Sequence, residues 1–515
     1  MKQHVFKLLL LFWFAITAGL NTYQTEGVCG HNDRFSQFDE LIAIGNVHAM
    51  LTPESVKHFV FQSINGNTLM YGRLVFYVDA IVSFIPYKIA GLKGQIIATR
   101  LAHTAALLWA FYLLIIVFIS KEKPWLRAAL ALLLCMMPYT LYFSVVPKPE
   151  PYQLLCIALF CYFSFKHSHQ KFWPFIFLGL AFATKISTLG LLPVFGLYFL
   201  VKNKATLFKK IAMPIVFFAT GVIIGVPTLL LGLVKRLYLE TYIDHTFGAI
   251  DQSFDDSSVT LWRWMKYMAS EYFVLNGWVL VSIVLAGLIY GAYRAFKSKQ
   301  LPFEQLVMLA GLILLVLVAA GTKRLWPHYL YIGWVLLLVG AVGSIHRMRI
   351  AWVACIALVI MALPETGYIK DSMKYLVSRE KDADYLKAKD AGTKALAYLS
   401  AKDGVTPISG DLSMYVPNSF FVKACRYQPF SSDKKEGDLR FDYINNYGQG
   451  LYDNSKTIVF YKNNPRTRVI EDNRAGRGQI IPEDQINGLK TFTANVPSLY
   501  SRDTAFGELE IYIKD

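Results

Sequence analysis

The sequence predicts an α-helical polytopic membrane protein of about eleven transmembrane helices, followed by a small extracytoplasmic α/β domain. Three observations carry this reading. The 515 residues are 55% hydrophobic and 15% aromatic, with a mean hydropathy of +0.38 and only 17% charged residues, against roughly a quarter in soluble proteins. Several apolar runs are long enough to cross about 30 Å of hydrocarbon. After Pro364 the character changes, and residues 366–515 are polar with only short apolar runs.

The apolar runs are 5–21, 72–89, 96–119, 126–146, 151–166, 172–201, 210–232, 271–295, 304–321, 328–345 and 350–364. Residues 1–20 resemble a signal peptide, but the cleavage signal is weak and a multispanning chain needs an anchor here. We read them as the first span, with the N-terminus inside. Basic residues then orient the rest. Lys121, Lys123 and Arg127 make one basic loop. Lys166 and Lys171 flank another, and Lys202, Lys204, Lys209 and Lys210 make the strongest. Arg294, Lys297 and Lys299 follow, then Arg347 and Arg349. The positive-inside rule places all of these in the cytoplasm.

That constraint decides two ambiguous runs. If 72–89 crossed the bilayer, the 121–127 loop would fall outside. The run is therefore expected to lie at the outer interface, with Tyr71, Arg73, Tyr77 and Asp79 among its polar positions. The run 172–201 has basic loops at both ends, so it must cross and return, turning near 184–188. The polar stretches 22–71, 146–150, 233–270 and 322–327 then share the outer side with the Lys185 turn. The first domain spans 1–365 and the second 366–515. In the second, 383–400 has helical spacing, and 456–461 and 509–513 read as strands.

Composition excludes some function classes. The formal net charge of +16 is accounted for by the orienting loops, and no basic stripe interleaved with aromatics supports nucleic-acid binding. Cys135, Cys156, Cys161 and Cys355 lie in apolar helices and read as small core residues. A disulfide between Cys29 and Cys425 is open if both face an oxidising compartment. No CxxC or His-rich metal spacing occurs.

The candidate residues lie in the outer stretches. Asp39 and Glu40 follow the first span. A carboxylate at a water–membrane boundary can take a proton from an acceptor hydroxyl or amine, with partial desolvation tuning its pKa; taken alone, the pair is equally a solvated loop acid. Lys148-Pro149-Glu150 is a proline-bracketed turn that presents one cation and one carboxylate, or simply ends a helix. Lys185 interrupts an apolar run, where a charge costs roughly 2.5–3.5 kcal/mol at mid-bilayer. It is read as a contact to an anion, either a phosphate or a carboxylate such as Glu150, with a snorkelling lysine as the bland alternative. Lys323 and Arg324, followed by His328 and Tyr329, place two cations against the usual loop bias, and an anionic ligand explains that exception. Arg100 opens the 96–119 helix and is expected to pair with an acid of the first loop. Asp244, His245, Asp251, Asp255 and Asp256 are available to a divalent metal together with Asp39, without a specific ligand spacing.

In this order the motifs resemble the GT-C superfamily of membrane glycosyltransferases, especially the branch of protein O-mannosyltransferases and lipid A aminoarabinose transferases. The resemblance runs through Asp39-Glu40, then Ala98-Thr99-Arg100-Leu101, and Tyr142-Phe143-Ser144 leading into Lys148-Pro149-Glu150. It continues through Gly179-Leu180-Ala181 with Thr184-Lys185, and ends with Lys323-Arg324 and Pro327-His328-Tyr329-Leu330. It covers about residues 1–365. Where relatives carry a Pro-Pro-rich segment, residues 65–77 here do not.

The resemblance implies an inverting transfer of a sugar from a polyprenyl-phosphate donor to a glycan, lipid or protein acceptor on the outer side of a bacterial inner membrane, with membrane lipid as the surrounding partner. Asp39 would be the base; Glu40, in a supporting or metal role, and Glu150, in the counterpart of the family's second acidic turn, would complete the catalytic carboxylates. Lys323, Arg324 and Lys185 would stabilise the leaving phosphate. Two other readings stand beside it. A transporter or lipid flippase would explain the apolar bulk, but it predicts inverted repeats that the sequence does not show. A receptor-like scaffold would place function in residues 366–515.

Overall fold

The computed structural model describes residues 4–22, 26–29, 38–64, 72–166, 170–230, 277–299, 301–321, 327–348, 351–378, 383–411, 414–420, 441–443, 455–461 and 500–514. Among the described residues up to 378, the regular elements are helices apart from one short strand. Helix α1 (Val5–Asn21) is followed by strand β1 (Gly27–Cys29), α2 (Phe38–Leu51), α3 (Val56–Ile64) and α4 (Arg73–Phe118). Next come α5 (Pro124–Met136), α6 (Pro138–Val145), α7 (Glu150–Lys166) and α8 (Phe175–Thr184). A 3₁₀ turn (Ile186–Gly190) leads to α9 (Leu191–Lys202) and α10 (Leu207–Gly225). Beyond 276 lie α11 (Gly277–Ser298), α12 (Phe303–Gly321), a 3₁₀ turn (Pro327–Leu330), α13 (Tyr331–Ile345) and α14 (Ala351–Ser378).

By length and composition, α4 and α10 can cross a bilayer, and up to three spans result if the bent pair α5–α6 counts as one. Among the described residues, Val5–Asn21, Phe175–Thr184, Phe303–Val318, Tyr331–Ile345 and Ala351–Leu363 are apolar over only 10–17 residues. The run 126–146 is thus not one straight helix. It bends by 66° where Pro138 follows Met137, because proline cannot donate to the ladder and biases the preceding residue away from the α region. Outward faces are apolar, with Phe208, Ile215 and Val216 exposed on α10 and Leu285, Ile289 and Phe296 on α11. Such faces suit hydrocarbon rather than water, and the chain is a membrane protein.

The two ends of the helical body are chemically distinct. At one end the Phe303 ring, opening α12, meets Phe118 of α4 at 5.8 Å, Phe165 of α7 at 6.3 Å and Tyr198 of α9 at 5.6 Å. Beside it the buried Glu304 carboxylate draws Arg294 to 3.7 Å and Arg347 to 3.6 Å. The helix ends that lead into the basic loops therefore gather in one place. At the other end Asn21 and Thr104 both donate to the Ser144 carbonyl at 2.9 Å, tying α1, α4 and α6 together.

Helix α4 departs most from the sequence reading. Its regular backbone breaks at Ala90 and Gly91, the latter at φ 59° and ψ −145°, a region open essentially to glycine alone. The break falls between the runs 72–89 and 96–119. However, the polar side chains of the first arm do not face water as expected. Arg73 and Asp79 are buried, while Ile81, Phe84, Ile85 and Ile89 are exposed. Arg73 donates to Asn46 Oδ1 at 3.1 Å, to the Ser63 carbonyl at 3.3 Å and to the Gln62 carbonyl, and it lies over the Phe76 ring. A guanidinium saturated in this way pins α2 and α3 to α4, which is why it turns inward.

The C-terminal unit is a five-stranded mixed sheet in the order β4-β2-β5-β7-β6. Its strands are β2 (Ile408–Gly410), β4 (Phe441–Tyr443), β5 (Thr457–Tyr461), β6 (Ser501–Phe506) and β7 (Leu509–Ile513). Strand β2 pairs in parallel with β4 and β5, and β7 pairs antiparallel with β5 and β6. Helix α15 (Ala383–Ser400) covers the sheet, packing Ala395, Leu396 and Leu399 with Ile408, Val459 and Ile511. The apolar run 350–364 is the front of α14, which continues to Ser378. The change of character near residue 366 thus falls inside a helix.

One pairing was not expected. Strand β1, from the first polar loop, joins β3 (Tyr415–Pro417) antiparallel, with Gly27 opposite Pro417 and Cys29 opposite Tyr415. Glu26 accepts a hydrogen bond from Lys389 of α15 at 2.5 Å, and its carbonyl accepts from the Asn418 amide at 2.9 Å. A Cβ on Gly27 would stand 2.3 Å from the end of the Tyr415 ring, so a larger residue there would require that ring to move.

Two outcomes follow. Gly91→Ala should destabilise the protein by about 1–3 kcal/mol, the cost of a side chain in that backbone region, read as a lower Tm in detergent. The Lys389 hydrogen bond and charge hold the Glu26 carboxyl below its ordinary value. A depressed folded value means that the contact stabilises the β1–β3 pairing at neutral pH and is lost on acidification through that value. Hydrogen exchange at Gly27–Cys29, corrected for intrinsic rates, should therefore be faster at about pH 3 than at about pH 7, and a Glu26→Gln variant should flatten the difference.

Candidate active site

Three of the sequence-predicted residues meet at the end of the helical body opposite Phe303. Glu150 opens α7, Lys185 ends α8, and Tyr329 lies in the 3₁₀ turn before α13. Lys185 Nζ donates to Glu150 Oε1 at 2.5 Å and sits 4.1 Å from the centroid of the Tyr329 ring. Glu150 is 3% exposed. The local chain explains this placement. Lys185 has extended backbone at φ −156° and ψ 127°, between an α-helix and a 3₁₀ turn, so its side chain leaves the axis of both. Gln153, one turn beyond Glu150, clamps the same turn. Its Nε2 donates to Thr188 Oγ1 at 2.7 Å, Ser187 Oγ at 3.0 Å and the Lys185 carbonyl at 3.4 Å.

The pair leaves hydrogen-bonding capacity unused. Glu150 Oε2 and Gln153 Oε1 are buried and accept no hydrogen bond among the described residues. Lysine carries three donors, and the Glu150 contact uses one of them. The cation–π contact to Tyr329 orients the ammonium without consuming a donor. Lys185 is thus a cation already held by a carboxylate, able to serve an anion while Glu150 retains an acceptor for a hydroxyl or amine.

The other expected residues are buried in the helical body or lie, in their side chains at least, outside the described set. Lys148 is buried in the turn before α7, where its backbone N–H donates to His103 Nδ1 at 3.3 Å. Arg100 is buried on the second arm of α4. Asp39 and Glu40 occupy the first turn of α2, but their side chains lie outside the described residues. The His328 side chain, Lys323, Arg324 and the acids of 244–256 lie outside as well, as does Cys425. Among the described residues no group of three or more His, Cys, Asp or Glu could hold a metal ion.

Sequence reasoning missed a second polar cluster. Asp79, from the first arm of α4, is 0% exposed. It accepts from Tyr152 OH through Oδ1 at 2.9 Å, and its Oδ2 lies 2.9 Å from His103 Nε2 on the second arm. The available signal was an acid in one apolar run and a histidine in the next, since ionisable residues in such runs cluster at functional places. Spacing could not join them, because they are 24 residues apart and would stand roughly 36 Å apart in an unbroken helix.

No family model and no curated protein sequence matches the chain. Solved structures do. ArnT from Cupriavidus metallidurans bound to undecaprenyl phosphate superposes with a TM-score of 0.52 and 12% identity, covering 98% of this chain and 97% of that one. The same protein in the apo state gives a TM-score of 0.51 and 13% identity over the same shares. At this identity the likeness establishes a fold.

Breaking the Glu150–Lys185 pair should reveal how far it is buried. Removing one partner of a buried pair costs about 3–5 kcal/mol. The Lys185 side chain is 18% exposed, so Lys185→Met should fall at or below the lower figure. Glu150→Gln combined with Lys185→Met should be less destabilised than the sum of the single variants, as measured by thermal unfolding in detergent.

Proposed function

Starting from an ArnT-like GT-C fold, we propose that this protein is an inverting glycosyltransferase that moves a sugar from a polyprenyl-phosphate donor to an acceptor at the outer face of a bacterial inner membrane. The observation that carries the reading is the full-length likeness to a protein solved with undecaprenyl phosphate, covering 98% of this chain. The Glu150–Lys185 pair supports it, standing where a charged headgroup could reach the helical body from water. About eleven membrane crossings, with the C-terminal sheet outside the cytoplasm, are the arrangement that the basic loops favour.

In this reading Asp39 takes the proton from the acceptor hydroxyl or amine. The freed lone pair attacks the anomeric carbon from the face opposite the lipid phosphate. The bond from carbon to phosphate oxygen breaks, its electrons stay on the oxygen, and configuration inverts. Charge grows on the leaving phosphate as the bond lengthens. Lys185 meets that charge, and Lys323 and Arg324 are assigned to the same task; fixed complementarity of this kind is the larger part of many rate enhancements. Glu150 orients Lys185 and offers Oε2 to a sugar or acceptor hydroxyl. Glu40 supports Asp39.

The purified protein in nanodiscs, given a panel of polyprenyl-phosphate sugars and an envelope extract, should form a new glycosidic bond detectable by mass spectrometry. Asp39→Asn should lower kcat by about 100- to 10,000-fold, the usual contribution of a general base, with donor KM little changed. An Asp39→Asn rate equal to wild type would sink the base assignment. Lipid movement without a new bond would favour the transporter reading instead.

A further inference from the structure

The Asp79–His103–Tyr152 cluster has no role in the reaction as described, yet it touches the turn that carries Glu150. A backbone amide can only donate, so the Lys148 N–H directed at His103 Nδ1, at 3.3 Å, requires a lone pair there. The ring proton then sits on Nε2 and is donated to Asp79 Oδ2 at 2.9 Å. Tyr152 OH satisfies the second oxygen of Asp79 at 2.9 Å, and its ring stands edge-on to the imidazole with centroids 4.7 Å apart. All three side chains are buried. A fully satisfied buried chain of this kind is stiff, because every alternative leaves an orphaned polar group.

The chain has a direction. It starts on one arm of α4, passes through the other, and ends on the backbone of the turn between α6 and α7. Two residues further on, Glu150 begins α7 and receives Lys185. Tyr152 returns from the first turn of α7 to Asp79, so the turn is gripped on both sides. We infer that Asp79 and His103 form a positioning relay that fixes the Lys148–Glu150 turn, and through it the Glu150–Lys185 pair, against α4. The relay rests on the proposed function for its catalytic consequence and on geometry alone for its mechanical one. It exists only because the Ala90–Gly91 break brings residues 24 apart into contact. A glutamine at position 103 can reproduce it, with a carbonyl for the Lys148 amide and an NH₂ for Asp79, whereas a leucine cannot.

The test uses the full-length protein in nanodiscs and two readouts. Hydrogen exchange at the Lys148–Tyr152 peptide should accelerate at least about 10-fold in His103→Leu and return to within about threefold of wild type in His103→Gln. Sugar transfer from the polyprenyl-phosphate donor should fall by about 10- to 100-fold in kcat in His103→Leu. The same change in a Glu150→Gln background should cost less than about a further twofold, because residues acting through one another are not additive. Asp79→Asn gives the same two readouts if His103→Leu does not fold. Unchanged exchange in both variants, or a full additional loss on top of Glu150→Gln, overturns the relay. A Glu150→Gln variant with wild-type transfer overturns the site reading instead, and the exchange readout still decides the relay.

Discussion

A carboxylate with no exposure to solvent constrains how this chain can fold. Asp79 lies on a helix whose outward face is apolar, and its charge needs two donors close by. His103 and Tyr152 are those donors, one from the same helix beyond a break and one from α7. Satisfying Asp79 therefore requires α4 to fold back on itself and α7 to approach it closely. The turn before α7 is then seated on the imidazole, and the Glu150–Lys185 pair follows from where α7 begins. Arg73 makes the same demand from the other side, taking its acceptors from α2 and the end of α3. Two buried charges thus organise the end of the molecule where the candidate site lies.

The opposite end is organised by different chemistry. Aromatic rings converge on Phe303, and two arginines share Glu304. Arginine suits such a shared site, since its guanidinium is weakly hydrated and its donors are fixed in a plane. One end of the bundle is closed by stacking and ion pairs. The other is held by directed hydrogen bonds and keeps unsatisfied acceptors.

Much of this was legible in the sequence, for physical reasons that can be named. The turn at Lys185 was visible because basic loops flank the run 172–201 at both ends, so the chain had to cross and return. Strands β5 and β7 were visible as short runs rich in Ile, Val and aromatic residues in a polar region. The partnership of Lys185 with Glu150 was one of two options the charges allowed. The inward turn of Arg73 and Asp79 was hidden, because polarity alone does not say whether a side chain meets water or a buried partner. The Asp79–His103 contact was hidden by Gly91, whose backbone angles decide which residues meet and leave no trace in spacing. The strands β1 and β3 are three residues each, too short for any periodicity.

The β1–β3 pairing has a consequence for how the protein comes into being. The two strands are far apart in sequence, at Gly27–Cys29 and Tyr415–Pro417. At about 5–20 residues per second, ribosomes expose the second strand roughly 20–80 s after the first. Throughout that interval the segment leading to Asp39 has no strand to pair with, while the helices behind it are already entering the bilayer. Its partner strand is made only after the helices of the first domain, so a chain truncated before Tyr415 would insert yet leave β1 unpaired. The pairing thus ties the strand after the first helix to the C-terminal unit only late in synthesis.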